Sequence, residues 1–327
     1  MMQNRHFKKL LLLAAMLGLL ALLIFSCTKL LESTVLGEDT GEVGFTSKTV
    51  TVDGVDYFPR QDITTVLVMG IDRYGPVADS EAYNNSGAAD FNVLVIIDES
   101  AQAVDLLYLN RDTMVEMPVL GVGGRQAGTY YGQLALAHTY GSGLEDSCEN
   151  AKQTVSDMLG GVLIDYYVSM NMDTISILND AVGGVTVEVK DDFSHVDPTI
   201  TMGMVTLDGQ QAVNYVRTRK DVGDQLNLSR IDRQKEYINR FAAAFRAAYD
   251  ADRNMVQDLY GEISPFLVTD LSMSVLNAMI DHYGDYTIHR VMTPEGDNVM
   301  GEQYFEFYAH EDKLRDLSLE LFYAPKE

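Results

Sequence analysis

Basic residues are scarce in this chain, and so are cysteine and tryptophan. Twenty-four Lys and Arg face 48 Asp and Glu, a formal charge of -24 over 327 residues. A nucleic-acid partner needs a broad basic face, so this balance argues against one. It suits an exported, soluble domain at a membrane or wall surface. Of the two cysteines, Cys27 lies in an apolar N-terminal segment and Cys148 is left alone, so no intrachain disulfide framework exists. Six histidines (His6, His138, His195, His282, His289 and His310) are scattered without HExxH or paired spacing, which disfavours a histidine metal site. No Walker motif offers nucleotide chemistry, and no GxSxG elbow offers a serine nucleophile. There is no internal repeat and no low-complexity tract. Tryptophan is absent beside 18 tyrosines.

Long apolar runs occur once. Arg5, His6, Lys8 and Lys9 precede Leu10 to Phe25, interrupted only by Gly18. The run is short of the roughly 20 residues that span a bilayer, but Ser26, Cys27 and Thr28 extend it and Arg5 can snorkel. Basic residues before the run and Glu32, Glu38 and Asp39 after it place everything from residue 30 onward outside the cytoplasm. No small-x-small site invites ordinary cleavage, so the expectation is an uncleaved anchor over residues 10–28 behind a cytoplasmic 1–9. The alternative is a lipoprotein at Cys27, because Ile24-Phe-Ser-Cys27 loosely matches a lipoprotein box. Either way the domain is a single-pass or lipid-tethered protein of the cell membrane, facing the extracytoplasmic side.

Residues 29–61 read as a stalk. From there strand and helix signals alternate: Thr65–Gly70, Asn92–Asp98 and Val104–Leu109 as strands, with Asp98–Gln102 as a hairpin turn, and a glycine-rich loop over Gly121–Gly128. Helical spacing follows at Leu144–Leu159 and Asp173–Val182. A short helix over Asp208–Val213 leads into a strand, and a long amphipathic helix covers Ser229–Tyr249 with Ile231, Tyr237, Ile238, Phe241 and Phe245 facing the core. The pattern predicts a three-layer αβα domain with a mixed central sheet over residues 62–249. Residues 250–327 are expected as an extension packed on the same core.

On this acidic background one stretch stands out. Tyr215-Val-Arg-Thr-Arg219 and Arg230-Ile-Asp-Arg233-Gln234 bring Arg217, Arg219, Arg230 and Arg233 together with Lys220 inside twenty residues. Read as a strand, the first segment points Arg217 and Arg219 the same way. On the helix, Arg230 and Gln234 share a side, and Arg233 falls off it towards solvent, Asp232 or Glu236. Fixed guanidinium forks of this kind suit a phosphate or pyrophosphate.

The order of motifs resembles the LytR–CpsA–Psr family. Gly70-Ile-Asp72-Arg73, Asp90, Leu109-Asn-Arg111-Asp112-Thr113, Ile164-Asp-Tyr-Tyr167, Ala181-Val-Gly-Gly-Val-Thr-Val187, Leu207-Asp-Gly-Gln-Gln-Ala212, Val216-Arg-Thr-Arg219 and Arg230-Ile-Asp-Arg-Gln234 run in the family's order over roughly 62–245. The resemblance implies a phosphotransferase of the bacterial envelope. Such enzymes move a glycopolymer (teichoic acid, capsule or a related polysaccharide) from a polyprenyl-pyrophosphate carrier to a peptidoglycan sugar hydroxyl. It implies that Arg111, Arg217, Arg219 and Arg230 bind the pyrophosphate, with Gln234 and Asp224 beside the site, and that Asp72 and Asp90 hold Mg2+. Of these, Arg111, Arg217, Arg219, Asp72 and Asp90 would be catalytic. The prenyl chain would lie along apolar segments near 163–182 and 237–249. Asp112 reads as a structural ion-pair or turn residue.

The chain also departs from the family. Ala88 stands where an Arg is usual, and Gln133-Leu-Ala-Leu136 replaces a Lys/Arg-Ile-Asn-Ala stretch. These losses keep a second expectation open: a catalytically weakened module that binds polyprenyl pyrophosphate.

Overall fold

The computed structural model describes residues 49–326 apart from positions 53, 81, 83, 122, 219–221, 224–226, 253–254, 273–274, 276–277, 280–281 and 284–285. The expected anchor, the first part of the stalk, Arg219 and Asp224 lie outside the described residues. Among the described residues no helix is long and apolar enough to cross a membrane.

The chain forms two compact units. The larger starts with β1 (Val50–Val52), β2 (Val55–Pro59), β3 (Ile63–Ile71), β4 (Ala89–Asp98), β5 (Ala103–Tyr108), β6 (Met114–Leu120) and β7 (Gln126–Gln133). A 3-10 helix over Leu134–Thr139, helix α1 (Glu145–Met158) and β8 (Tyr166–Asn171) follow. The smaller unit holds α2 (Asp173–Ala181), β9 (Val185–Val189), β10 (Gly203–Leu207), α3 (Gly209–Arg217), α4 (Asn227–Ala251) and α5 (Met255–Ile263). The chain then returns to the larger unit with β11 (Leu267–Thr269), β12 (Thr287–Met292), β13 (Gly296–Met300), β14 (Phe305–Ala309), α6 (Glu311–Phe322) and β15 (Tyr323–Pro325).

The larger unit is organised by a six-stranded mixed sheet in the order β11-β8-β3-β4-β5-β12. β3 runs parallel to β8 and antiparallel to β4. Its strands read Ile-Thr-Thr-Val-Leu-Val-Met-Gly-Ile and Ala-Asp-Phe-Asn-Val-Leu-Val-Ile-Ile-Asp, near-continuous apolar runs that fit strands covered on both faces. Leu67, Met69, Leu94, Ile96 and Leu107 form one core with Cys148, Ala151 and Val155 of α1 and Leu321 and Phe322 of α6. The tail after residue 250 thus supplies both edge strands of this sheet and part of its core. The Ile164-Asp motif has a structural job here: Asp165 accepts from the Thr65 backbone N–H at 2.8 Å and its hydroxyl at 2.9 Å, tying β8 to β3.

In the smaller unit the β9–β10 hairpin packs with α4, and α3 packs on α2. α3 starts at a capping box, the Asp208 carboxylate accepting from Gln211 N at 2.8 Å and the Gln211 side chain from Asp208 N at 2.9 Å. The Leu207-Asp-Gly-Gln-Gln-Ala motif is this cap. Gly209 is required beside it, because a Cβ there would stand 2.2 Å from Ser176 Oγ of α2. Apolar positions Ala212, Val213, Tyr215 and Val216 are buried at helical spacing, so the helix continues through Val216 to Arg217. The segment read as an arginine strand is the end of this helix, with Thr218 the first extended residue.

Candidate functional site

In the larger unit the site residues gather at the end of the β3–β4 pair. The register runs Gly70 opposite Phe91 and then Ile71 opposite Ala89, so Asp90 is the extra residue of a β-bulge. Bulges re-aim a side chain and stop the regular pairing. Asp72 follows directly on β3, its N–H donating to Ala88 O at 2.9 Å. The backbone therefore sets Asp72 and Asp90 on neighbouring strand ends. Arg111, in the turn after β5, carries its guanidinium to the Asp90 carboxylate and also pairs with Asp112 at 3.4 Å. Asp112 is buried and accepts from Gln133 Nε2 at 2.8 Å, in keeping with the structural role expected of it. Gln133, standing where a basic residue was expected, gives its second amide bond to Phe305 O at 2.9 Å. Its side chain is committed to holding two backbone segments together and brings no charge.

The loop entering Asp90 is pinned by buried groups that the sequence did not single out. Asn85 Nδ2 donates to His138 O at 2.7 Å and to Ser147 Oγ at 3.0 Å, while its Oδ1 accepts from Gly87 N at 2.7 Å. His138 Nδ1 donates to Gly87 O at 2.9 Å, and its Nε2 lies 3.9 Å from Cys148 Sγ. Between them, Ser86 is held at φ 54, in the left-handed region that non-glycine residues rarely occupy. Burial lowers the His138 pKa from its ordinary 6.5 to about 4 and pushes the Cys148 thiol far up. Above pH 6.5 His138 is neutral in folded and unfolded chains alike. Between 6.5 and 4 the unfolded chain takes up a proton that the folded one refuses, so stability falls by up to about 1.4 kcal/mol per pH unit. A His138→Asn variant, whose amide can still donate to Gly87 O, is expected to lose less melting temperature than the parent between pH 7.5 and pH 5. Equal losses in thermal melts would contradict this.

In the smaller unit the arginines are arranged differently from the expectation. Arg217 is exposed in the last turn of α3, where a cation is favoured by the helix dipole. Arg230 is buried on α4. Arg233 is not on a solvent face: it is 5% exposed, donates through Nε to Tyr215 O at 3.0 Å and through Nη2 to Thr218 O, and pairs with Asp191 at 2.7 Å. Its guanidinium also lies 5.4 Å from the Phe193 ring centre. Gln234 Nε2 donates to Val216 O at 3.1 Å, so its amide caps α3. Helix ends leave four carbonyls without intrahelical donors; here α4 supplies donors from Arg233 and Gln234. The signal for Arg233 was present in the sequence, since positions 233, 237, 241 and 245 form one i, i+4 stripe with the buried Tyr237, Phe241 and Phe245. Those rings stack on one another, Tyr237 on Phe241 at 6.2 Å and Phe241 against Phe245 at 6.0 Å. They are core side chains.

The sequence pattern of the LytR_cpsA_psr family matches residues 36–320. The chain belongs to this family. A curated member, the polyisoprenyl-teichoic acid–peptidoglycan teichoic acid transferase TagU of Oceanobacillus iheyensis, is 28% identical over 229 residues, 69% of this chain and 64% of that protein. The chain thus spans a little under two thirds of that relative's length. TagU of Bacillus subtilis is 25% identical over 268 residues, 80% of this chain and 78% of its own. A solved structure of TagT bound to LI-WTA shares the fold, with a TM-score of 0.58 at 24% identity over 80% of this chain and 90% of that one. The family's mixed α/β fold with a mixed central sheet is the fold seen here.

Proposed function

We propose that the protein is a Mg2+-dependent phosphotransferase of the cell envelope, transferring a glycopolymer from a polyprenyl-pyrophosphate carrier to a peptidoglycan hydroxyl. Residues 10–28 would anchor it to the membrane with the domain outside. Family membership and the named transferases support the reading. The observation that carries it is the pairing of Arg111 with Asp90 at a bulge beside Asp72. One permanent cation and two carboxylates on adjoining strand ends suit a phosphate group and a hard divalent ion.

Asp72 and Asp90 offer the hard oxygen donors that Mg2+ prefers. Two carboxylates would leave the rest of an octahedral shell to waters and substrate oxygens, the usual way Mg2+ is held. Bound there, Mg2+ would neutralise charge on the pyrophosphate oxygens. Arg111, Arg217, Arg219 and Arg230 would bind the pyrophosphate and stabilise the charge that spreads over it. Asp224 would stand near it, and Gln234 would act by holding the end of α3. The acceptor hydroxyl attacks the phosphorus attached to the sugar. It gives its proton to a carboxylate, Asp72 or Asp90, as the P–O–P bond breaks and polyprenyl phosphate leaves. A new phosphodiester joins polymer and acceptor.

The full chain in detergent, given a polyprenyl-pyrophosphate-linked oligosaccharide and peptidoglycan fragments, should form the glycan adduct with Mg2+ and not with EDTA. Product formation in EDTA would overturn the metal dependence. Gln133, which contributes no charge, favours the second reading of a weakened binding module, and donor binding without product would establish it.

A further inference from the structure

Two hairpins of the larger unit present an unusual surface. In β7 every residue from Gln126 to Tyr131 is exposed, and in β13 every residue from Asp297 to Met300. Over these stretches both strands are paired within their hairpins. The exposed side chains include Tyr131 at 56%, with Tyr130, Tyr304, Phe305 and Tyr308 close to 40% each. The two hairpins adjoin where Gln133 of β7 donates to Phe305 O of β14 at 2.9 Å, which sets these rings on neighbouring strands. Tyr130 continues the patch inward, packing edge-on against Tyr140 at 6.0 Å. Exposed apolar patches of this kind mark sites of interaction.

The patch adjoins the Arg111 turn through direct bonds. Phe307 N donates to Asp112 O at 2.8 Å, Thr113 bridges to Phe307, and Gln133 joins Asp112 to Phe305 O. The second hairpin is therefore built onto the residue that follows Arg111.

The chemistry of the patch selects its occupant. No Lys or Arg occurs in residues 126–133 or 295–310, whereas Glu295, Asp297, Glu302 and Glu306 do. His310 there is held by Asp297 at 3.0 Å, and Arg125 stands just outside β7, so an anionic lipid surface or a free polyanion would meet mainly carboxylates. Phenol rings offer an apolar face with a hydrogen-bonding edge. Apolar C–H faces of pyranose rings can lie on them, while neighbouring carboxylates accept from sugar hydroxyls. Glu306 already accepts from Tyr308 at 2.7 Å.

We infer that the tyrosine surface of these hairpins binds an uncharged saccharide chain and serves as the subsite for the acceptor glycan. Saccharide binding stands on the surface itself; its assignment to the acceptor rests on the transferase reading.

The test uses the full chain in detergent with chitohexaose as probe, measured by titration calorimetry, and a Tyr131→Ser/Tyr308→Ser variant. Both side chains are exposed and outside the proposed catalytic machinery. The variant should bind chitohexaose at least about tenfold more weakly, with unchanged melting temperature and unchanged affinity for farnesyl pyrophosphate. Undiminished binding in the variant, or none in the parent, overturns the inference. So does a variant that loses binding to phosphatidylglycerol vesicles while retaining chitohexaose, which would make the surface a membrane contact. In transfer assays the acceptor KM should rise about tenfold at constant kcat. An unchanged KM alongside lost chitohexaose binding removes the acceptor assignment and leaves the transferase reading standing. Lost chitohexaose binding with no transfer by either protein removes the transferase reading and leaves the saccharide surface.

Discussion

Replacing Arg217 with alanine is expected to lower polymer transfer by about 10²–10³-fold, the cost typical of losing one preorganised group that stabilises transition-state charge. The reason lies in its placement. Arg217 ends α3 with its side chain exposed, so little packing depends on it. The melting temperature should therefore move by no more than about 2 °C, as for surface substitutions generally. Arg217→Lys should recover only part of the activity, because an ammonium cannot reproduce the planar two-point contact of a guanidinium with phosphate. An alanine variant with parental transfer rates would remove Arg217 from the pyrophosphate site.

Arg233→Met should behave in the opposite way, with its first effect on stability. The substitution keeps an apolar stem of similar length and deletes a buried guanidinium that serves Asp191, Tyr215 O and Thr218 O. Breaking a buried pair by removing one partner typically costs about 3–5 kcal/mol; the partial exposure of Asp191 places this case near ~3. At roughly 2–4 °C per kcal/mol the melting temperature should fall by about 6–12 °C. Activity should fall as well. Thr218 is the residue between Arg217 and Arg219, and its carbonyl is one of the atoms Arg233 holds. A change under about 2 °C would show that the guanidinium is not the staple described here.

The contrast between these two arginines shows how much of the molecule could be read from its residues. The central strands were legible because β3 and β4 carry nearly unbroken apolar runs, and the hairpin at Asp98–Gln102 because turn residues separate two of them. α3 was only half legible. Its capping box is local and visible, but Val-Arg-Thr-Arg alternates like a strand, and the cap together with the buried Val213 and Val216 decides for a helix. Gly121–Gly128 read as a single loop, yet Gln126–Gly128 belong to β7, because pairing with β6 is a partnership between segments that local composition does not report. Arg233 was misplaced for a similar reason. Charge suggested solvent, and the partners that make its burial favourable, Asp191 and two carbonyls of another helix, are distant in sequence. The Asn85–His138–Gly87 network was invisible on the same grounds. By contrast Asp72, Asp90 and Arg111 were picked out by motif order, and the β3–β4 register brings the first two to adjoining strand ends with Arg111 paired to Asp90.

The central claim is that a phosphoryl group passes from the carrier to a sugar hydroxyl under the control of these arginines and carboxylates. Its most direct test is to identify the phosphorus products when the full chain meets a polyprenyl-pyrophosphate-linked oligosaccharide, peptidoglycan fragments and Mg2+. The account predicts polyprenyl phosphate and a phosphodiester-linked glycan adduct in equal amounts. Both should fall about 10²–10³-fold in the Arg217→Ala protein. Release of polyprenyl pyrophosphate, which would mean cleavage at the sugar carbon and no transfer of phosphorus, would contradict it.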